Sequence, residues 1–364
     1  MSEPPPGWVP PGSSPPGSGP FPPGSGPSPS GSGAQPPPGY AGWPPPVPRP
    51  GVVALRPLGV GDFFDGAFQT IRRNPTAMVG LAAAVTTLFM VVPVVLTLLT
   101  AASGNLSLDL FARSTDPADQ LAATVDAGTT SLVANLGSVF GAAATVITNG
   151  ILVRVVAEAV LGRRTGIGAA WRATRGRLLP LVGLTLLNAL VVLVLIGTPV
   201  ALAVLTGYRL GVGAALLVGV PLLLVALAVL VVLQIRFFHL AAPALMLEGT
   251  GIVASMLRAR SLSQGQFWRL FGVYLLTVLV ATFVGYVVGL PLGVVGIVGM
   301  ALLPGTGGAL VLVFSSYLSQ IIVGAITTPF TSAVVSLQYV DQRIRKEGLD
   351  VQLIAAAQRP ADQR

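Results

Sequence analysis

Five stretches free of any charged side chain, residues 74–108, 127–153, 178–208, 210–235 and 270–340, set the organisation of this chain. A helix that crosses a bilayer needs about 20 consecutive, mainly apolar residues. The first four stretches each predict one spanning helix. The fifth predicts two, turning at Pro304-Gly305-Thr306-Gly307-Gly308.

Between these runs the pattern changes to helical amphipathicity. Residues 59–75 (GVGDFFDGAFQTIRRNP) place Phe64, Ala67, Phe68 and Ile71 on one stripe. Asp62 and Asp65 lie in the first turn and Arg72 and Arg73 in the last, complementing the helix dipole, and Asn74-Pro75 stops the helix. Residues 166–180 repeat the plan with Ile167, Ala170, Trp171 and Thr174 against Arg172 and Arg175. Residues 251–269 repeat it again with Ile252, Val253, Met256 and Leu257 against Arg258 and Arg260. The expected fold is therefore an all-α integral membrane protein. Its six transmembrane helices form three repeats of an interfacial amphipathic helix plus a helical hairpin.

Composition agrees: 52% of residues are hydrophobic and 9% charged, against about 25% charged in a soluble domain. All 21 basic residues except Arg113 and Arg209 fall on one side of the predicted spans. Basic residues are retained on the cytoplasmic side, which predicts a multi-pass protein of the bacterial inner membrane with both termini inside. No leader is visible behind Met1-Ser2-Glu3, so the first span is expected to act as its own insertion signal. The net charge of +8 does not point to nucleic acid, because the arginines cluster at membrane ends beside lipid headgroups. The chain has no Cys, which removes disulfides, thiolate metal sites and a cysteine nucleophile.

Three regions are expected. Residues 1–53 form a Pro/Gly/Ser-rich disordered cytoplasmic tail, and residues 54–345 the membrane domain. Residues 346–364 form a short cytoplasmic tail. Pro36-Pro37-Pro38 and Pro44-Pro45-Pro46 favour polyproline II, the form that a proline-recognising partner would read. The longest outer connection, 103–130, carries Asp109, Asp116, Asp119 and Asp126 against Arg113 and reads as a solvated acidic loop.

The chemistry-bearing motifs are sparse. Gly59-Val60-Gly61-Asp62 matches the GxGD string of intramembrane aspartyl proteases. No second Asp lies within a span to share its proton, so the match reads as coincidence. The single histidine, His239, reads as an interfacial side chain. Arg154 and Glu158, at i and i+4 near the end of the second span, read as a mutual structural pair or as part of a polar path with Asn149 and Gln320. Asn149, Asn188, Gln234 and Gln320 are expected to hydrogen-bond across helices. Gly285, Gly289 and Gly293, with Pro291, suit close packing or a kink, and Pro93 and Pro199 are partial counterparts. The headgroup candidates at the basic rim are Arg72, Arg73, Trp171, Arg172, Arg175, Arg177, Arg258, Arg260, Trp268 and Arg269.

The run 55–75 (LRPLGVGDFFDGAFQTIRRNP), opening a six-span, arginine-rich body behind a proline-rich tail, resembles actinobacterial proteins of the glycerophosphoryl diester phosphodiesterase membrane-domain family. The likeness covers roughly residues 54–345. It implies the six-span fold and the membrane location. It does not carry the activity in the family's name, because the catalytic barrel needs paired histidines and metal-binding carboxylates that this chain lacks. The functional expectation is a non-enzymatic membrane protein, without cofactor or metal, that engages anionic lipid and a protein partner through its tail. The alternative is a transporter or permease for a small or lipid-like solute.

Overall fold

A computed structural model describes residues 51–53, 56–102, 117–164, 166–303 and 305–348, with side chains described throughout except over 117–136. The proline-rich segment before residue 51, the acidic residues 103–116 and the terminus beyond 348 lie outside the described residues. Ten α-helices follow one another: α1 (Val60–Arg73), α2 (Leu81–Ala102), α3 (Pro117–Val160), α4 (Ile167–Thr174), α5 (Leu178–Leu210), α6 (Val212–Leu233), α7 (Ala241–Glu248), α8 (Ile252–Ser263), α9 (Phe267–Leu302) and α10 (Thr306–Glu347). No strand occurs among the described residues. Six helices are long and apolar enough to cross a membrane, as the charge-free stretches predict.

The element order alternates a short helix with a long pair three times, yet the three pairs are not packed alike. Helix α10 packs against α9, α2, α3 and α1, so two of the pairs form one four-helix bundle. The α5/α6 pair stands beside it, joined chiefly where α5 meets α3 and α7. The sequence repeat therefore has no counterpart in equivalent packing.

Several boundaries depart from expectation. Helix α3 starts at Pro117, so 117–130, read as loop, belongs to a helix that outruns the membrane. Pro117 is well suited to a first helical position, where its missing N–H costs nothing. Helix α7 was not anticipated; the chain leaves α6 through a π-helical turn, Gln234–Phe238, and re-forms a helix at Ala241. A second π-helical turn, Thr76–Gly80, links α1 to α2. Asn74 between them is non-helical (φ −134°, ψ 56°), as the residue before a proline tends to be. Gly51, Val52 and Val53, assigned to the tail, are buried, and the Val52 N–H donates to the Ala159 carbonyl. Helix α10 runs through Glu347, past the expected end of the membrane domain at 345.

Helices α2, α5 and α9 continue through Pro93, Pro199 and Pro291. The glycine seam of α9 is real but shifted. Gly285 and Gly289 face Val323 and Ser319 of α10, Gly293 faces open space, and Gly296 and Gly299 resume the seam against Ser315 and Val311.

Burial is concentrated at the arginine-rich end. Both large apolar clusters lie there. One combines Phe63, Met78, Ile151, Val156, Phe330 and Leu337; the other combines Leu184, Ile235, Leu245, Leu262, Leu270 and Tyr339. The opposite half presents apolar side chains outward along all six long helices, the arrangement a lipid environment calls for. A small cluster of Met90, Val313 and Tyr317 ties α2 to α10 there.

Candidate functional site

Every residue of α10 from Ser336 to Gln342 is buried, so a charge there must be answered by partners. Asp341 is fully buried and is so answered. It accepts hydrogen bonds from the Leu58 N–H at 2.8 Å, from Arg269 Nη1 at 2.6 Å and from Arg345 Nε at 3.0 Å. Both arginines also donate to the Leu58 carbonyl. The Arg269 guanidinium lies 5.6 Å from the Phe63 ring centroid. One carboxylate thus fastens the strap before α1, the start of α9 and the end of α10.

A second network surrounds Glu248 at the end of α7. Arg258 of α8 donates to both its oxygens, at 3.0 and 2.9 Å, and also meets Glu347 at 2.6 Å. The hydrogen bond to Glu248 holds the Arg258 guanidinium above its ordinary pKa. The Tyr339 hydroxyl donates to Glu248, and Arg343 bonds Glu347 at 2.9 Å. Lys346 closes α8 by donating to the carbonyls of Ser261 (2.6 Å) and Gln264 (2.8 Å). Helices α7, α8 and α10 are locked together by these bonds.

These networks divide the headgroup candidates. Arg269 and Arg258 are spent on internal carboxylates, and Arg177 donates to the Met246 carbonyl at 2.5 Å. Arg72, Arg73, Arg172, Arg175 and Arg260 are exposed, as are Trp171 (44%) and Trp268 (78%). Arg260 stacks on Phe237 at 5.5 Å.

The amphipathic stripes are also corrected. In α1 the buried face is Phe63, Gly66, Ala67 and Thr70, while Phe68 is exposed and, with Phe64, packs on Phe330. In α4 Ala170 and Thr174 turn inward, while Ile167 and Trp171 turn outward. In α8 Ser255, Ala259 and Leu262 are buried, while Val253 and Leu257 are exposed. Each short helix therefore carries apolar residues on two faces, one against protein and one outward.

The polar-path candidates are brought together only in part. Glu158 pairs with Arg163 at 3.6 Å and not with Arg154. Arg154 and Glu158 line a cavity of about 230 Å³ with Leu247, Tyr339 and Arg343. Gln320 lines a separate, mostly apolar groove of about 650 Å³ between α9 and α10. The Asn149 Oδ1 is buried with no partner among the described residues. Only the Gln234–Asn188 hydrogen bond, at 2.7 Å, joins two of the four amides expected to bridge helices. His239 is half-buried, hydrogen-bonded to Gln338 and set edge-on to Tyr274. Asp62 accepts from the Gly59 N–H at 2.9 Å and meets Arg56, a helix-capping role.

Among the described residues, no group of three His, Cys, Asp or Glu is placed to hold a metal. Comparison with protein-family models, curated proteins and solved structures gave no match. The acids Glu248, Asp341 and Glu347 escaped the sequence reading. Their scarcity was the available signal: with 13 acidic residues against 21 basic ones, any acid at the basic end invites several arginines.

Proposed function

We propose that this multi-pass membrane protein is a non-enzymatic inner-membrane component, arginine-rich end inward, that engages anionic lipid at its rim. The observation that carries the reading is the split among the arginines. Arg72, Arg73, Arg172, Arg175 and Arg260 remain outside the internal ion-pair networks, and Trp171, Trp268, Val253 and Leu257 are exposed on the same short helices or at their ends. A basic residue close to an anionic leaflet contributes on the order of 1 kcal/mol of attraction, and the amphipathic tryptophans suit the headgroup level. The proline-rich sequence before residue 51 supports a second contact, with a proline-recognising protein. The family resemblance supports the location and adds no activity.

The alternative reading is a transporter or permease for a small or lipid-like solute; Arg154 and Glu158 share one cavity, and Gln320 lines another.

The test uses Arg172→Gln, Arg175→Gln and Arg260→Gln together, in the full chain in nanodiscs of mixed phosphatidylcholine and phosphatidylglycerol. The wild type should enrich phosphatidylglycerol in its lipid annulus, with salt weakening the enrichment, and the triple variant should enrich it less. Equal enrichment in a correctly inserted variant would sink the reading.

A further inference from the structure

The cavity between the end of α1 and the end of α3 has a composition that the rim reading does not explain. It measures about 250 Å³ and is lined by Arg73, Asn74, Ala159, Gly162, Arg163 and Arg164. A water's share of liquid volume is about 30 Å³, so the space holds several waters or one tetrahedral oxyanion. Three guanidinium groups line it, and the one carboxylate in contact with any of them through an ion pair is Glu158, 3.6 Å from Arg163. Arg73 and Arg164 make no ion pair or side-chain hydrogen bond among the described residues. Asp62 and Asp65 stand in the neighbouring cavity that Arg73 also borders, but Asp62 is held by Arg56 and the Gly59 N–H.

Asn74 supplies the second observation. It is only 7% exposed, yet its carboxamide has no hydrogen-bond partner among the described residues and borders this cavity. Its amide group is accessible from the cavity and is free to donate to an acceptor there. The local backbone fixes the arrangement. The Gly162 N–H bonds the Ala159 carbonyl and the Arg163 N–H bonds the Glu158 carbonyl. Gly162 sits at φ +77°, a conformation that suits glycine and turns the chain so that Arg163 and Arg164 follow α3 directly. Asn74 is held outside helical geometry by Pro75.

We infer that Arg73, Asn74, Arg163 and Arg164 form a discrete binding site for a phosphate group. Guanidinium forks match phosphate oxygens with paired, charge-assisted hydrogen bonds, and the Asn74 amide adds a neutral donor from the buried side. The phosphate is presented either by a phospholipid headgroup or by a soluble phosphate compound. The inference deepens the anionic-lipid reading by replacing diffuse attraction with a stoichiometric site, and two of its arginines, Arg163 and Arg164, lie outside the proposed rim.

The full chain in phosphatidylcholine nanodiscs is titrated with phosphatidic acid and, separately, with inorganic phosphate. Native mass spectrometry counts retained lipid, and thermal shift reads phosphate binding. Arg163→Gln with Arg164→Gln, and separately Asn74→Ala, are compared with the rim variant Arg172→Gln/Arg175→Gln/Arg260→Gln. The wild type should retain one saturable phosphatidic acid. The Arg163/Arg164 variant should weaken it about tenfold or more, the loss of a charge-assisted hydrogen bond or two, and Asn74→Ala should weaken it less. The rim variant should keep it. If inorganic phosphate stabilises the wild type but not the Arg163/Arg164 variant while lipid retention is equal in both, the site stands and its source is soluble. If neither probe separates wild type from the Arg163/Arg164 and Asn74 variants, all melting alike in plain phosphatidylcholine, the site does not exist. Loss of bulk anionic enrichment is read only from the rim variant, so failure of the two readings is told apart.

Discussion

Replacing Asp341 by Ala is the sharpest perturbation of this fold. The carboxylate is fully buried, and its removal strands three groups at once: the Arg269 and Arg345 guanidiniums and the Leu58 N–H. Breaking a buried ion pair by deleting one partner costs about 3–5 kcal/mol, because the other charge is left uncompensated. Here the arginine side chains retain 25% and 29% exposure, so water rehydrates them in part and the lower end, about 3 kcal/mol, is expected. That is on the order of a hundredfold in the folding equilibrium. Asp341→Asn keeps an acceptor for Leu58 and should cost less, about 2 kcal/mol, the worth of the lost charge assistance. Asp62→Asn, which loosens the exposed pair with Arg56, should cost under about 1 kcal/mol. Unfolding is followed by circular dichroism as SDS is titrated into mixed micelles, with limited proteolysis reporting release of the strap before α1. The reasoning fails if Asp341→Ala unfolds within about 1 kcal/mol of wild type and the strap stays equally protected.

Gly249 closes α7 at φ +72°, and a Cβ there would lie 2.5 Å from Arg177 Nη2. Gly249→Ala should therefore lower stability by about 1–3 kcal/mol, and an unchanged midpoint in the same titration would refute this. Gly66→Val would drive new methyls into Val53 and Leu337, which an added Cβ already approaches at 2.6 and 2.8 Å. The cost should be about 1–3 kcal/mol, read as a lower thermal midpoint. Glu248→Gln leaves Arg258 with only Glu347 and should cost about 1.5–3 kcal/mol, measured by the same SDS titration. For orientation, the cysteine-free chain offers a clean background. Tyr208→Cys, in the last turn of α5, should react with an impermeant thiol reagent in intact cells and Ala169→Cys in α4 should not; the reverse pattern would invert the topology.

Lipid makes the spanning helices readable, because it demands long uninterrupted apolar runs and tolerates no unpaired backbone. Hydropathy falls silent where a helix leaves that environment. The first turns of α3 carry Asp119 and Asp126 and looked like loop, although Pro117 marked a helix start. Helix α7 was hidden for a different reason, since its apolar residues continue the run of α6 and only the π-helical turn separates them. The stripes of α1, α4 and α8 were misplaced because each helix contacts two apolar surroundings, and a single moment cannot say which of them is protein. The arginines were legible as a topology signal but not as individuals. Whether Arg269 meets lipid or Asp341 depends on a contact across 72 positions of sequence. Arg154 shows the converse: its i+4 spacing to Glu158 was right for a pair, but Arg163 in the turn after α3 took the carboxylate instead.

The uneven burial follows from the two solvents this chain meets. In the membrane half, lipid tails solvate Leu and Val as well as protein does, so apolar area gives the helices little reason to associate. What holds them there is shape and hydrogen bonding: the glycine seam of α9 on α10, the Thr97–Tyr317 contact at 3.1 Å, and the Gln234–Asn188 bond near the base of the α5/α6 pair. At the arginine-rich end water is present, apolar burial regains its driving force, and the large clusters form. Buried carboxylates then act as register pins. Asp341 accepts only a strap, an α9 start and an α10 end that arrive together, and Glu248 accepts only one setting of α8 against α10. The α5/α6 pair has no buried carboxylate of this kind; it is tied to the rest by Arg177 on the Met246 carbonyl, Ser263 on the Arg236 carbonyl and the His239–Gln338 bond just after α6.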